Sequence, residues 1–216
     1  MNDLWPSLWQ ASLESLYMVF ASTLFAILLG LPLGVLLYRS QQAELNPRPK
    51  LYRILDFFVN LFRSLPFAIL ILLLLPMTKI LIGRQTGTSA TIVPLVIASV
   101  PFMARITEQS FLDLDRGVLE AALAMGISKT KILWRVLLRE ALPNLIASLT
   151  LMMISIFGYS AMAGTIGGGG LGDLALRFGY YRKDLAALWA AVISSVIIVQ
   201  LIQLTGNSLV RFFDHR

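Results

Sequence analysis

Cysteine is absent from the chain, and histidine occurs once, as His215. The first absence excludes disulfides and thiolate metal sites; the second excludes a histidine cluster that could hold a metal. Charge is also scarce, with 14% of the 216 residues Asp, Glu, Lys or Arg. No Lys or Arg precedes Arg39, so the first apolar run lacks the basic flank of a cleaved signal peptide. No G-x-x-x-x-G-K-[ST] stretch occurs, which removes the loop a chain needs to cradle ATP phosphates for itself. No polar segment is long enough to fold as a separate soluble domain.

What remains is apolar. Hydrophobic residues make up 57% of the chain, too much for a soluble domain of this size to hide. Uncharged runs fall at 15–38, 64–78, 85–104, 141–172 and 185–210. About 20 apolar residues cross a bilayer as helix, and four runs reach that length. The second crosses if it extends over 57–82, with Arg63 and Lys79 near opposite ends or facing protein. Lipid leaves no partner for an unpaired backbone group, so continuous runs of this kind must be helical. The expectation is an all-α, polytopic membrane protein of a single domain, 1–216. It has five transmembrane helices at about 15–38, 57–82, 88–108, 141–165 and 185–210, and a two-helix loop at about 109–140. Residues 1–14 read as an amphipathic lead-in. Gly30, Pro32 and Gly34 mark a kink in the first span.

Basic residues set the orientation. The odd connections and the tail hold twelve Lys and Arg; the even connections hold five. The positive-inside rule places the N-terminus outside and the C-terminus in the cytoplasm, with Trp5 and Trp9 in an outer aromatic belt. The net charge of +6 therefore serves topology at the lipid surface, with no nucleic-acid partner.

The charged interruption at 106–140 carries the strongest motif. Asp113 or Asp115 caps a helix running to Met125. Gly126 supplies the left-handed geometry that ends it, and Ser128 caps the next helix, from Lys129 to about Leu138. Ile132, Leu133, Val136 and Leu137 recur at helical spacing there. Two helices joined by a tight turn make a rigid projection. The alternative is an ordinary interfacial helix, and Glu-Ala-Ala alone says nothing. The whole pattern, Glu120-Ala121-Ala122, then Gly126, then Val136 and Leu138, resembles the EAA loop of bacterial ABC importer permeases. The resemblance implies that this segment sits in a groove of a separate ATPase subunit, with Glu120, Ala121, Ala122 and Gly126 as the contact core. It also implies that the chain binds no cofactor itself, ATP and Mg being held by the partner. Arg139 stands where that family commonly has Pro, so the second helix runs slightly further.

Further strings extend the likeness. Phe62-Arg63-Ser64-Leu65-Pro66-Phe67, Val100-Pro101-Phe102-Met103-Ala104-Arg105, Leu138-Arg139-Glu140-Ala141-Leu142-Pro143 and Gly158-Tyr159-Ser160-Ala161-Met162-Ala163-Gly164 look like the permease subunit of methionine ABC importers. The likeness implies a homodimer, two ATPase subunits and an external substrate-binding lipoprotein or periplasmic protein. The implied activity is import of methionine, D or L, by alternating access. The alternatives are another amino acid or small amphiphile as cargo, or a secondary transporter, which usually carries paired ionisable groups inside the membrane.

Several features have blander readings. Gly167 to Gly172 formally satisfies G-x-G-x-x-G, but no strand precedes it; it is either a flexible outer hinge or a site of close helix packing. Ser160 sits in a motif similar to that of intramembrane proteases, yet His215 is too far away to be its base. Tyr159, Ser160 and Met162 are candidates for a substrate pathway, offering a hydroxyl, a small polar group and a thioether. For Met152, Met153 and Met162 packing is the favoured reading. Arg63 and Arg105 flank apolar runs and snorkel or, for Arg105, pair with Glu108 at i,i+3; a direct substrate role for either is the less favoured alternative. Asp173, Arg177, Arg182, Lys183 and Asp184 form a solvated loop or a docking surface for an external protein.

Overall fold

The computed structural model describes residues 4–214; His215 and the terminal Arg216 lie outside the described residues. The described chain is helical and contains no strand. Four helices are long and apolar enough to cross a membrane: α1 (Leu4–Gln41), α4 (Thr88–Leu112), α7 (Leu142–Gly164) and α9 (Leu185–Phe213). Between the first two lie α2 (Pro49–Ser64) and α3 (Phe67–Ile82). The projection comprises α5 (Arg116–Ala124) and α6 (129–140). A short α8 (Gly170–Leu174) runs on as a π-helix over Ala175–Tyr181. The lead-in is the first part of α1, and Pro32 sits inside that helix without ending it.

The second span departs from the expected single helix over 57–82. It is broken at Leu65 and Pro66, and α2 and α3 meet at 106°. Pro66 has no N–H and disfavours helical geometry in the residue before it. Leu65 accordingly adopts an extended conformation (φ −79°, ψ 124°). Pro49 starts α2 at the position where a missing N–H costs nothing.

The outside of the bundle is apolar. Phe20, Leu24 and Leu28 on α1, and Ile193, Ile197, Leu201 and Leu204 on α9, are all exposed. Helix α2 repeats the pattern: Ile54, Phe57, Phe58 and Leu61 face outward. Its polar Asp56, half-buried, and Asn60 both contact Arg105 of α4. That inversion suits a lipid surround, since water would leave an apolar patch of this extent uncovered.

Inside, small residues let helices touch. A Cβ on Gly34 would lie 2.4 Å from the Ala104 carbonyl oxygen, and one on Gly30 would lie 2.6 Å from Met103 Cβ. Helices α1 and α4 therefore meet backbone to backbone. Gly206 serves the α7–α9 crossing, where an added Cβ would reach 2.1 Å from Thr150 Oγ1. Met18, Leu37, Leu95, Met152 and Ile156 fill the core. Of the methionines expected to pack, Met152 is buried and Met153 half-buried, whereas Met162 is exposed, against that expectation.

Candidate functional site

The projection is built from local signals. The Asp115 carboxylate accepts the Gly117 N–H at 2.6 Å and caps α5. Asp113 instead accepts from Asn144 Nδ2 at 3.1 Å, tying the projection to α7. At the other end Gly126 takes φ +70°. The Gly126 N–H donates to the Leu123 carbonyl at 2.9 Å and the Ile127 N–H to the Ala122 carbonyl at 3.2 Å. That pair of bonds is a Schellman motif. Ser128 occupies the N-cap position of α6, but its hydroxyl makes no capping bond, in contrast to the expectation. Replacing Asp115 with Ala is expected to cost about 1 kcal/mol of α5 stability. Faster amide hydrogen exchange across 116–124 would report it.

The middle of α6, Ile132–Leu137, is a π-helix, and it buries Ile132, Leu133 and Leu137 against the core. The helix continues through Arg139 to Glu140, as the missing Pro implied. Behind the projection, Tyr38 of α1 and Phe111 of α4 pack edge to face at 5.3 Å.

Of the expected contact residues, Glu120, Ala121 and Gly126 share the exposed surface. Ala122 is turned inward and buried. Val136 and Leu138 are half-buried and pack on the core. Met125, which spacing did not single out, is 71% exposed beside Gly126. Its signal was available: an apolar residue immediately before a helix-ending glycine stands at the tip of a turn. Glu120 also borders a cleft of about 460 Å³ with Glu44, Asp115 and Arg116.

A charged cluster fastens α2 to α4. Arg105 contacts Asp56 of α2, donates to Asn60 Oδ1 at 3.0 Å, and pairs with Glu108 at 2.6 Å. The i,i+3 pair is the one the spacing suggested. Asp56 is an addition that only the fold supplies. Tyr52 adjoins both Arg105 and Glu108.

At the other end of the bundle the glycine run packs tightly. The Gly170 N–H donates to Glu14 at 2.8 Å and the Leu171 N–H to Ser15 Oγ at 2.9 Å. A Cβ on Gly172 would lie 2.1 Å from the Ala161 carbonyl oxygen. Close packing thus accounts for these glycines. Nearby, Asp173 pairs with Arg177 at 2.5 Å, and Asp184 caps α9 through the Ala186 and Ala187 N–H groups. Arg182 lies 4.5 Å over the Phe178 ring.

The candidate pathway residues separate. Tyr159 stacks on Phe67 with centroids 4.7 Å apart and borders a cavity of about 150 Å³ at the α2–α3 break. Ser160 is buried, and its hydroxyl donates to the Phe157 carbonyl at 2.8 Å. Met162 is exposed.

Residues 30–216 match the family described as binding-protein-dependent transport system inner membrane component. The chain belongs to this family. It is a multi-pass permease component of the inner membrane. Curated relatives sharpen the likeness. The methionine import system permease protein MetP of Bacillus subtilis is 41% identical over 97% of this chain and 94% of its own length. The D-methionine transport system permease protein MetI of Escherichia coli K12 is 43% identical over 70% of each chain. Among solved structures, an inward-facing conformation of the MetNI methionine ABC transporter superposes with a TM-score of 0.95. It is 38% identical and covers 100% of both chains.

Proposed function

We propose that this permease imports methionine as one half of a homodimer, by alternating access driven by a separate ATPase. Two copies of that ATPase bind ATP and Mg on the cytoplasmic side and engage the α5–α6 projection. An external substrate-binding lipoprotein or periplasmic protein delivers the cargo. The N-terminus lies outside and the C-terminus in the cytoplasm, and Lys129, Lys131, Arg135 and Arg139 of α6 suit lipid headgroups.

The observation that carries the reading is the projection itself. It is capped at Asp115, turned at Gly126, and anchored by Ile132, Leu133 and Leu137. It presents Glu120, Ala121 and Met125 on one exposed surface. A carboxylate among small side chains suits close approach to a donor-rich groove. A rigid mount is what allows a partner's movement to reach the membrane helices. The cargo rests on the likeness to the methionine permeases named above.

The test is radiolabelled methionine uptake in cells lacking their own importer, with this permease expressed beside its ATPase and binding protein. Wild type is expected to restore uptake. Glu120→Arg is expected to abolish it and to release the ATPase on purification, while insertion is retained. Unchanged ATPase copurification would overturn the coupling role. ATPase copurification without methionine uptake would keep the importer reading and reject the cargo.

A further inference from the structure

Two arginines stand in similar sequence settings beside apolar runs, and the structure treats them oppositely. Arg105 is held by Asp56 and Glu108. Arg63 makes no ion pair or hydrogen bond among the described residues. Its guanidinium lies 5.7 Å from the centroid of the Phe102 ring, at the outer reach of a cation–π contact. It is the next-to-last residue of α2, one position before the chain breaks. Arg63 is exposed, and an unpaired cation beside apolar runs either snorkels to the surface or takes an anionic partner.

The cavity beside it has the complementary half. Arg63, Leu65 and Phe67 come from the break, Phe102 from α4 and Tyr159 from α7. Phe67 and Tyr159 are nearly parallel, 15° between planes, so the rings stack face to face as one aromatic pair. Phe67 is buried, which holds that pair in place. A guanidinium and an aromatic pair lining one cavity fit a molecule with a carboxylate at one end and an apolar chain at the other. Thioethers and aliphatic chains both gain from contact with such rings. The volume of about 150 Å³ is below the roughly 300 Å³ at which drug-sized pockets begin. That excludes a peptide and admits a single small metabolite.

We propose that the α2–α3 break is a cargo site within the permease itself. Arg63 receives the carboxylate through paired N–H donors, and the stacked Phe67–Tyr159 pair, with Phe102, contacts the apolar side chain. Helices α2, α3, α4 and α7 all contribute to the lining. As α2 and α3 are joined only through Leu65 and Pro66, a change in their angle would open or close the cavity. The cargo class rests on the importer reading given above; the position and chemistry of the site rest on these residues.

The test uses the permease with its ATPase and binding protein in proteoliposomes, and a diazirine analogue of methionine as the probe. Irradiation during turnover, followed by peptide mass spectrometry, maps where the probe attaches. Adducts are expected on Phe67, Phe102 or Tyr159. Arg63→Gln is expected to lower their yield at least about tenfold, the loss of a charge-assisted hydrogen bond. Arg63→Lys, which keeps the charge without the fork, should retain more than Arg63→Gln. Methionine should compete for labelling, and methioninamide, which lacks the carboxylate, should not. The wild-type map needs no variant: adducts elsewhere in the permease and none at these three residues would overturn the site. So would wild-type yield in Arg63→Gln. Methionine uptake in the same vesicles separates the two readings. Uptake without labelling here rejects the site alone, whereas no uptake by wild type rejects the methionine reading and this site's cargo together.

Discussion

Arg105→Met is expected to destabilise the permease by about 3–5 kcal/mol, the cost of leaving a buried charge without its partner. Glu108 is fully buried, with Tyr52 and Arg105 beside its carboxylate. Arg105 is the cation that compensates it, at 2.6 Å, while also holding Asp56 from α2. Removing the guanidinium leaves two carboxylates near each other across the α2–α4 contact with no cation between them, and only Tyr52 beside the buried Glu108. Adding Glu108→Gln to Arg105→Met should recover most of the loss, because an amide is far less costly to bury than a carboxylate. Thermal unfolding of the purified, detergent-solubilised protein across the four members of this double-mutant cycle provides the measurement. A melting temperature for Arg105→Met equal to wild type would show that the cluster does not hold α2 in place.

Gly34→Leu is expected to be as damaging, for a steric reason. The first added carbon would already lie 2.4 Å from the Ala104 carbonyl oxygen and 2.5 Å from Thr107 Cβ. The backbone oxygen cannot step aside, so α1 and α4 must separate along their length. Overpacking of a core typically costs about 1–3 kcal/mol. Here the obstacle is backbone rather than a flexible side chain, so the upper end or beyond is expected. Gly158 on α7 is the internal control, since a Cβ there meets nothing within 4 Å. Gly158→Ala should be neutral or stabilising by up to about 1 kcal/mol, from the better helix propensity of alanine. Limited proteolysis and melting temperature of the two variants would decide. A Gly34→Leu protein that melts with the wild type would mean the α1–α4 approach is looser than the geometry implies.

The sequence by itself determined what depends on neighbours in the chain. Long uncharged runs set the membrane class, because lipid demands that each run satisfy its own backbone. The projection was legible to within a residue or two, since a cap such as Asp115 and a left-handed turn such as Gly126 act across two to five residues. Even the break in the second span was written at Leu65-Pro66, although run length argued for a continuous helix. Contacts between distant segments were not legible. Arg63 and Arg105 look alike in sequence, and only the fold brings Asp56, 49 residues away, to one and leaves the other open to a cavity. The glycine run reads equally as hinge or as packing until Glu14 and Ser15, 156 residues earlier, are seen bonded to it. Ser160 reads as a pathway hydroxyl until its bond to Phe157 is seen. Periodicity and capping are short-range forces that leave a local trace. Ion pairs, ring stacking and close backbone approach depend on which helix lies beside which, and tertiary packing alone decides that.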